Sequence, residues 1–201
     1  QKKVTALLDA VKPFDLFISG GVTAFEQKTA TTSGDSATFD AADVKSLNKG
    51  FTTVDVTQLA QKDVYQSNAV NATTKNATMT SLGDLTISAG GVSSTFITEG
   101  KTYQQLADEI TTKTGMNASV EQVGTDSYRL VVKSEDSGTA NQLTITGAAS
   151  QALGFTTDGT AVNSTNHILT SKDMMAKVDG VEYNVASNTV TVNGLKITAN
   201  K

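Results

Sequence analysis

The chain contains no cysteine. Disulfides, thiolate nucleophiles and cysteine-ligated metal centres are therefore excluded. The lack decides nothing about compartment, although it suits a protein exported unfolded, in which stray thiols are a liability. Tryptophan is absent too, aromatic residues make up only 5% of the chain, and the one proline is Pro13. Cores must be built from Val, Leu, Ile and Ala with a few Phe. There is a single histidine, His167, and a single arginine, Arg129. Nucleic-acid binders normally carry a basic stripe with arginines to grip phosphate. Here 16 Lys plus Arg face 20 Asp plus Glu, a net charge of −4, and that class is set aside. No apolar run approaches the roughly 18 residues of a membrane-spanning helix. Residues 1–17, QKKVTALLDAVKPFDLF, have neither the continuous apolar core nor the small-residue cleavage site of a signal peptide.

What remains is strand-and-turn material. About one residue in six is Thr, and Gly, Ser and Asn are common. The 201 residues suffice for one large domain or two small ones. There is no initiator Met, and the chain stops just after the strand-like GLKITANK. The expectation is a piece of something longer.

Val4, Leu7, Leu8 and Val11 fall on one face of a helix over residues 1–18, which Pro13 breaks or kinks and Gly20-Gly21 ends. Two strands follow the polar TATTSGDS connector at 29–36. SATFDA at 36–41 is expected to pair with FTTVDVTQ at 51–58 through a turn at Asn48-Lys49-Gly50. LAQKDVYQS continues as an extended edge. Residues 66–81 read as a polar connector between domains.

Residues 82–147 have a clear internal order. Asp84–Ser88 is a strand, Gly90-Gly91 a turn, and VSSTFIT a second strand. Thr102 caps a helix, YQQLADEITTKTG, with Tyr103, Leu106 and Ile110 on one face and Gly115 as its C′ residue. MNASVEQV, YRLVVKS and LTITG are three further strands. The result is β-β-α-β-β-β, one helix on a mainly antiparallel sheet. Asp179-Gly180 and Asn193-Gly194 mark hairpin turns, so that the last 30 or so residues read as a β meander.

Groups that could carry chemistry are scattered. His167 lies in the polar STNHILT and reads as a plain solvent-exposed histidine, with no Ser-His-Asp set to complete around it. Glu135-Asp136 reads as a solvated turn, not an acid/base pair. Asp158-Gly159 and Asp179-Gly180 lack the alternating oxygen ligands of a calcium loop. Gly90-Gly91 and Gly20-Gly21 lack the helix and Lys of a phosphate cradle. Sequons at Asn71, Asn76, Asn117 and Asn163 are read as chance in a Thr/Asn-rich chain. No catalytic, cofactor-binding or metal-binding residue is assigned, and the subunit-interface residues stay unknown.

Three segments, in order, resemble the bacterial flagellar filament-cap family, also called hook-associated protein 2. VDVTQLAQKDVYQS at 54–67 resembles the strand that closes the first half of that family's second domain. Leu82–Gly147 resembles the flagellar hook repeat named for an Ile-Asn pair, through the Tyr103–Ile110 helix, ASV at 118–120, YRLVVKS at 128–134 and SGTAN at 137–141. VDGVEYNVASNTVTVNGLKITA at 178–199 resembles the passage that returns the chain to the second domain. Two departures mark divergence: Ile110-Thr111 replaces the namesake pair, and Asn193-Gly194 replaces a usual Pro-Gly.

The resemblance implies an α+β, mostly β chain, in which a small α+β domain is inserted into a discontinuous β-rich one. Residues 1–33 would be the remnant of a helical leg and connector. Residues 34–81 with 162–201 would form the second domain, and 82–161 the inserted outer domain. It further implies an extracellular structural protein at the distal flagellar tip, exported by the flagellar secretion apparatus. Such a protein promotes ordered flagellin polymerisation and prevents loss of exported flagellin. It needs no cofactor and catalyses nothing. Its partners would be further copies of itself and flagellin, with this piece alone a monomer or weak oligomer. The alternative is a tip adhesin that binds host mucin or glycans. An enzyme is the third class.

Overall fold

The computed structural model describes residues 33–200 except Val44, Lys45 and Asn48. The helix expected over residues 1–18, Gly20-Gly21 and all but the last residue of the leg remnant lie outside the described residues. In chain order the elements are β1 (Ala37–Ala41), β2 (Val54–Gln58), β3 (Val64–Gln66), α1 (Ala72–Asn76), β4 (Asp84–Ala89) and β5 (Val92–Ile97). Next come α2 (Tyr103–Thr111), β6 (Met116–Gly124), β7 (Ser127–Ser134), β8 (Leu143–Thr146), α3 (Ala148–Leu153) and β9 (His167–Leu169). The last four are β10 (Met174–Val178), β11 (Val181–Val185), β12 (Thr189–Val192) and β13 (Leu195–Ala199). The class is α+β and mostly β, as expected.

The chain divides into two compact units. One comprises Gln58–Met175 with Asn184–Ser187; the other comprises the described residues up to Thr57, Ala176–Tyr183 and those from Asn188. The first unit takes in Gln58–Ser81 and Val162–Met175, which the sequence reading gives to the host domain. The reason is pairing: β3 bonds to β7 on one side and β9 on the other.

The Gln58–Met175 unit holds two sheets, of order β5-β4-β8 and β6-β7-β3-β9. Apolar residues alternate along β4, so that Leu85, Ile87 and Ala89 point inward. They meet Phe96, Leu130, Val132, Leu143, Ile145, Leu153 and Phe155 in one buried cluster. Helix α2 adds Tyr103, Leu106, Ala107 and Ile110 to it. Its start is fixed by a full capping box: Thr102 Oγ1 accepts from Gln105 N at 3.2 Å, and Gln105 Oε1 accepts from Thr102 N at 2.9 Å. The helix ends at Thr111 with Thr112 as its C-cap, so Gly115 is not its C′ residue. Gly115 instead turns the chain into β6 at φ +87°.

The segment read as a polar connector is ordered here. Residues 66–81 carry α1, a Val70–Tyr128 bridge and the buried Met79. Ala148–Leu153 form α3. β3, expected as an edge, is an inner strand of its sheet.

In the other unit, β1 does not pair with β2. It pairs antiparallel with β13, Ala37 opposite Ala199 and Phe39 opposite Ile197. That register sets the apolar face of β1 on Ile197, which is buried with Ala37 and Val178. Both expected hairpin turns form. Asp179-Gly180 has φ +50° and +84°, and Asn193-Gly194 has φ +49° and +77°. These are the left-handed pairs a tight two-residue hairpin requires. The meander is not continuous, however. β10 and β11 sit in a sheet of order β11-β10-β2, and β12 and β13 in one of order β1-β13-β12.

Candidate functional site

The only cluster of titratable side chains with a shared interior in the Gln58–Met175 unit, among the described residues, centres on Asp63. Asp63 precedes β3 and is fully buried. Its backbone is held at both ends by Ser134: Asp63 N donates to Ser134 Oγ at 3.0 Å, and Ser134 N donates to Asp63 O at 2.9 Å. Its carboxylate then gathers three separate segments. Oδ2 accepts from Leu143 N at 2.7 Å. Oδ1 accepts from Ser171 N at 3.1 Å and lies 2.7 Å from His167 Nε2. A buried carboxylate is tolerated only when its lone pairs are met in this way.

His167 is not solvent-exposed. Its side chain is only 12% exposed. Its ring stacks on Tyr65, with centroids 4.0 Å apart and planes 8° off parallel. Strand pairing explains the contact, because Tyr65 of β3 stands opposite His167 of β9. Burial, followed by the negative charge of Asp63, pushes the Tyr65 phenol up to about 12. Nothing in STNHILT announces this environment. The signal that could have found it is the acid at the head of an apolar strand, Asp63-Val64-Tyr65, where a charge needs a partner.

A second polar network lies alongside. Arg129 Nη1 donates to Ser67 O at 2.6 Å and to Asn166 Oδ1 at 3.4 Å. The buried Asn166 donates through Nδ2 to Asn68 Oδ1 at 3.0 Å and to Gly154 O at 2.8 Å. The sole arginine thus braces the interior. Gly154 has φ +90°, and a Cβ there would meet the Asn68 side chain at 2.4 Å.

The other candidates serve local structure. Glu135 Oε2 accepts from Gly115 N at 2.9 Å, closing the turn into β6. Asp158 Oδ1 accepts from Ala161 N at 2.7 Å and from Thr160 N and Oγ1 at 2.8 Å. These donors, Ala161 first, hold its carboxyl below the usual range. Asp179 and Thr53 exchange two bonds, Thr53 N to Asp179 Oδ1 at 2.8 Å and Asp179 N to Thr53 O at 2.9 Å. Gly90-Gly91 is the β4–β5 turn, at φ +56° and +81°. Of the sequons, Asn71 caps α1 by accepting from Thr74 N at 2.8 Å, and Asn163 Nδ2 donates to Gly154 O at 2.9 Å. Among the described residues no group of three or more His, Asp or Glu could hold a metal ion. What the Asp63 cluster does is mechanical: one carboxylate ties β8, β9 and the segment after it to β3.

No protein-family model matches the chain. The chain is 30% identical over 176 residues to flagellar hook-associated protein 2 of Escherichia coli K12, covering 84% of this chain and 35% of that protein. It therefore spans about a third of the length of the curated relatives it matches. The crystal structure of the flagellar cap protein FliD D1-D2-D3 domains from Escherichia coli superposes with a TM-score of 0.70 at 26% identity, over 88% of this chain and 54% of that one. The D2-D3 domains from the same organism give 0.66 at 26% identity, over 85% of this chain and 91% of the other.

Proposed function

We propose that this chain, which matches the D2-D3 domains of the flagellar cap protein in sequence and fold, is the head of a filament-cap subunit acting at the distal tip of a bacterial flagellum. The observation that carries the reading is the fold match over 88% of the chain at 26% identity, joined to a 30% sequence match along the same stretch. In this reading the Gln58–Met175 unit is the outer head domain and the other unit the second domain. The cap, built from several copies, retains exported flagellin and guides its insertion. The mechanism is steric and conformational. It forms no bond and needs no cofactor, and the Asp63 cluster serves it by holding the outer domain rigid. Host mucin as a partner gains no support from the names of the relatives.

The test uses the full-length protein in its own bacterium. Antibody raised against residues 33–200 is expected to label filament tips in electron micrographs. A strain lacking the protein is expected to shed unpolymerised flagellin into the medium. Normal filaments in that strain, with no tip label in the parent, would sink the reading.

A further inference from the structure

Three Asp-Gly or Asn-Gly pairs occur in the chain: Asp158-Gly159, Asp179-Gly180 and Asn193-Gly194. Such a pair is chemically vulnerable. Glycine has no Cβ to shield its own backbone nitrogen, which can reach back to the carbonyl carbon of the preceding side chain. The fold separates the three. The Asp158 carboxylate accepts from Thr160 N at 2.8 Å and Ala161 N at 2.7 Å. The Asp179 carboxylate accepts from Thr53 N at 2.8 Å and from Thr53 Oγ1 at 3.3 Å. Both side chains are tied down, and an ionised carboxylate is a poor electrophile.

Asn193 has neither protection. It is exposed at the tip of the β12–β13 hairpin, between the opposed residues Val192 and Leu195. Among the described residues nothing bonds its side-chain amide, and the Asn193–Gly194 peptide neither donates nor accepts a backbone hydrogen bond. An open cleft lined by Phe51, Asp179 and Leu195 adjoins it. Asn193 stands at φ +49°, so the reaction waits on rotation of that one peptide, and the rotation breaks no hydrogen bond.

We propose that Asn193 is a site of spontaneous deamidation, and that its isoaspartate product unlocks the β12–β13 hairpin from the segment after β1. Gly194 N gives up its proton to solvent base and bonds to Asn193 Cγ. The Cγ–Nδ2 bond breaks, and the side-chain nitrogen leaves as ammonia. Water, the one co-reactant, then opens the five-membered ring. Attack at Cγ gives aspartate; attack at the backbone carbonyl carbon gives isoaspartate, whose main chain runs through Cγ and is one methylene longer. The fold has no slack for that methylene. Gly194 O accepts from Ala42 N at 2.9 Å and from Asp43 N at 3.0 Å. A Cβ on Gly194 would meet Asp43 O at 2.5 Å, so the backbone there is tightly packed on this segment. The longer link forces Gly194 away from these two donors. The inference concerns the chain itself and does not rest on action at a filament tip.

Ageing the 201-residue chain in mildly alkaline buffer tests it. Trypsin cuts after Lys177 and Lys196, and the peptide between them carries its own controls, Asn184 before Val185 and Asn188 before Thr189. A mass gain of about one dalton is expected at Asn193, about tenfold faster than at Asn188, where a β-branched successor crowds the attacking nitrogen. Asn193→Gly keeps a residue suited to left-handed φ and removes the amide. It is expected to abolish the fast gain and to leave the fold intact. In the isoaspartate fraction, recognised by isoaspartyl methyltransferase, the amides of Ala42 and Asp43 should lose their protection from exchange. A gain at Asn193 no faster than at Asn188, or an undiminished gain in Asn193→Gly, would overturn the site. Unchanged protection at Ala42 and Asp43 in the isoaspartate fraction would overturn its structural consequence.

Discussion

Asp63 shows how far one side chain can reach. Its carboxylate is the shared acceptor for Leu143 N, Ser171 N and His167 Nε2. Asp63→Ala would strand two buried N–H groups and one ring nitrogen, and breaking a buried pair typically costs about 3–5 kcal/mol. The expected outcome is a urea midpoint lowered to match, with no change in mass. A midpoint shift of only a few tenths would show that water replaces the carboxylate. Tyr65 supplies the pH dependence. Its phenol loses a proton near 10 in the unfolded chain and near 12 in the folded one. The folded state therefore holds the proton more tightly, and this contribution is whole below pH 10 and lost as pH rises toward 12. Tyr103, raised by burial alone, adds in the same direction. Tyrosinate absorbance of the folded chain is expected to show a late-titrating fraction that shrinks in Tyr65→Phe, together with a melting temperature that falls above pH 10. Little of this was legible in the sequence. The contacts of Asp63 lie 71 to 108 residues away, and no local pattern encodes a partner at that distance.

Elements were legible where the cause is local. The α2 start was readable at Thr102 because a capping box needs only a Thr and a Gln three residues on. The two-residue hairpins were readable because Asp-Gly and Asn-Gly accept left-handed φ at both positions. Thr102→Ala is expected to cost about 1 kcal/mol through loss of the cap, and Leu106→Ala about 2–5 kcal/mol through the cavity it leaves. Chemical denaturation that ranked the two equally would mean α2 contributes little to the core. Pairings between distant elements were not legible. β1 has the alternation of any half-buried strand, which does not mark β13 over β2 as its partner; the pairing that forms sets Phe39 opposite Ile197 across the whole chain. β3 looked like an edge for a related reason. Its three residues carry no mark of being flanked on both sides, which β7 and β9 do.

At the scale of the whole molecule, the insertion carries its own prediction. The large buried cluster draws every member from residues between Tyr65 and Phe155. The unit spanning Gln58–Met175 is one continuous stretch, apart from the four-residue visit of Asn184–Ser187. That visit contributes the bond from Ser137 Oγ to Ala186 O at 2.6 Å, and a hydrogen bond of this kind is worth about 1 kcal/mol net. Residues 58–175 alone are therefore expected to fold cooperatively, with near-native strand content and a stability lower by about that amount. The other unit is assembled from three separate stretches, and its strands β2 and β10 are neighbours in one sheet. Replacing residues 59–173 by a short Gly/Ser linker joins these neighbours and should leave β1, β12 and β13 paired. Circular dichroism and amide exchange on both pieces decide the matter. Protected amides in the 58–175 piece at β4, β6 and β7 are the expected result. An exchange pattern without protection there would mean that the inserted unit depends on its host for folding, and that the two units are one cooperative body.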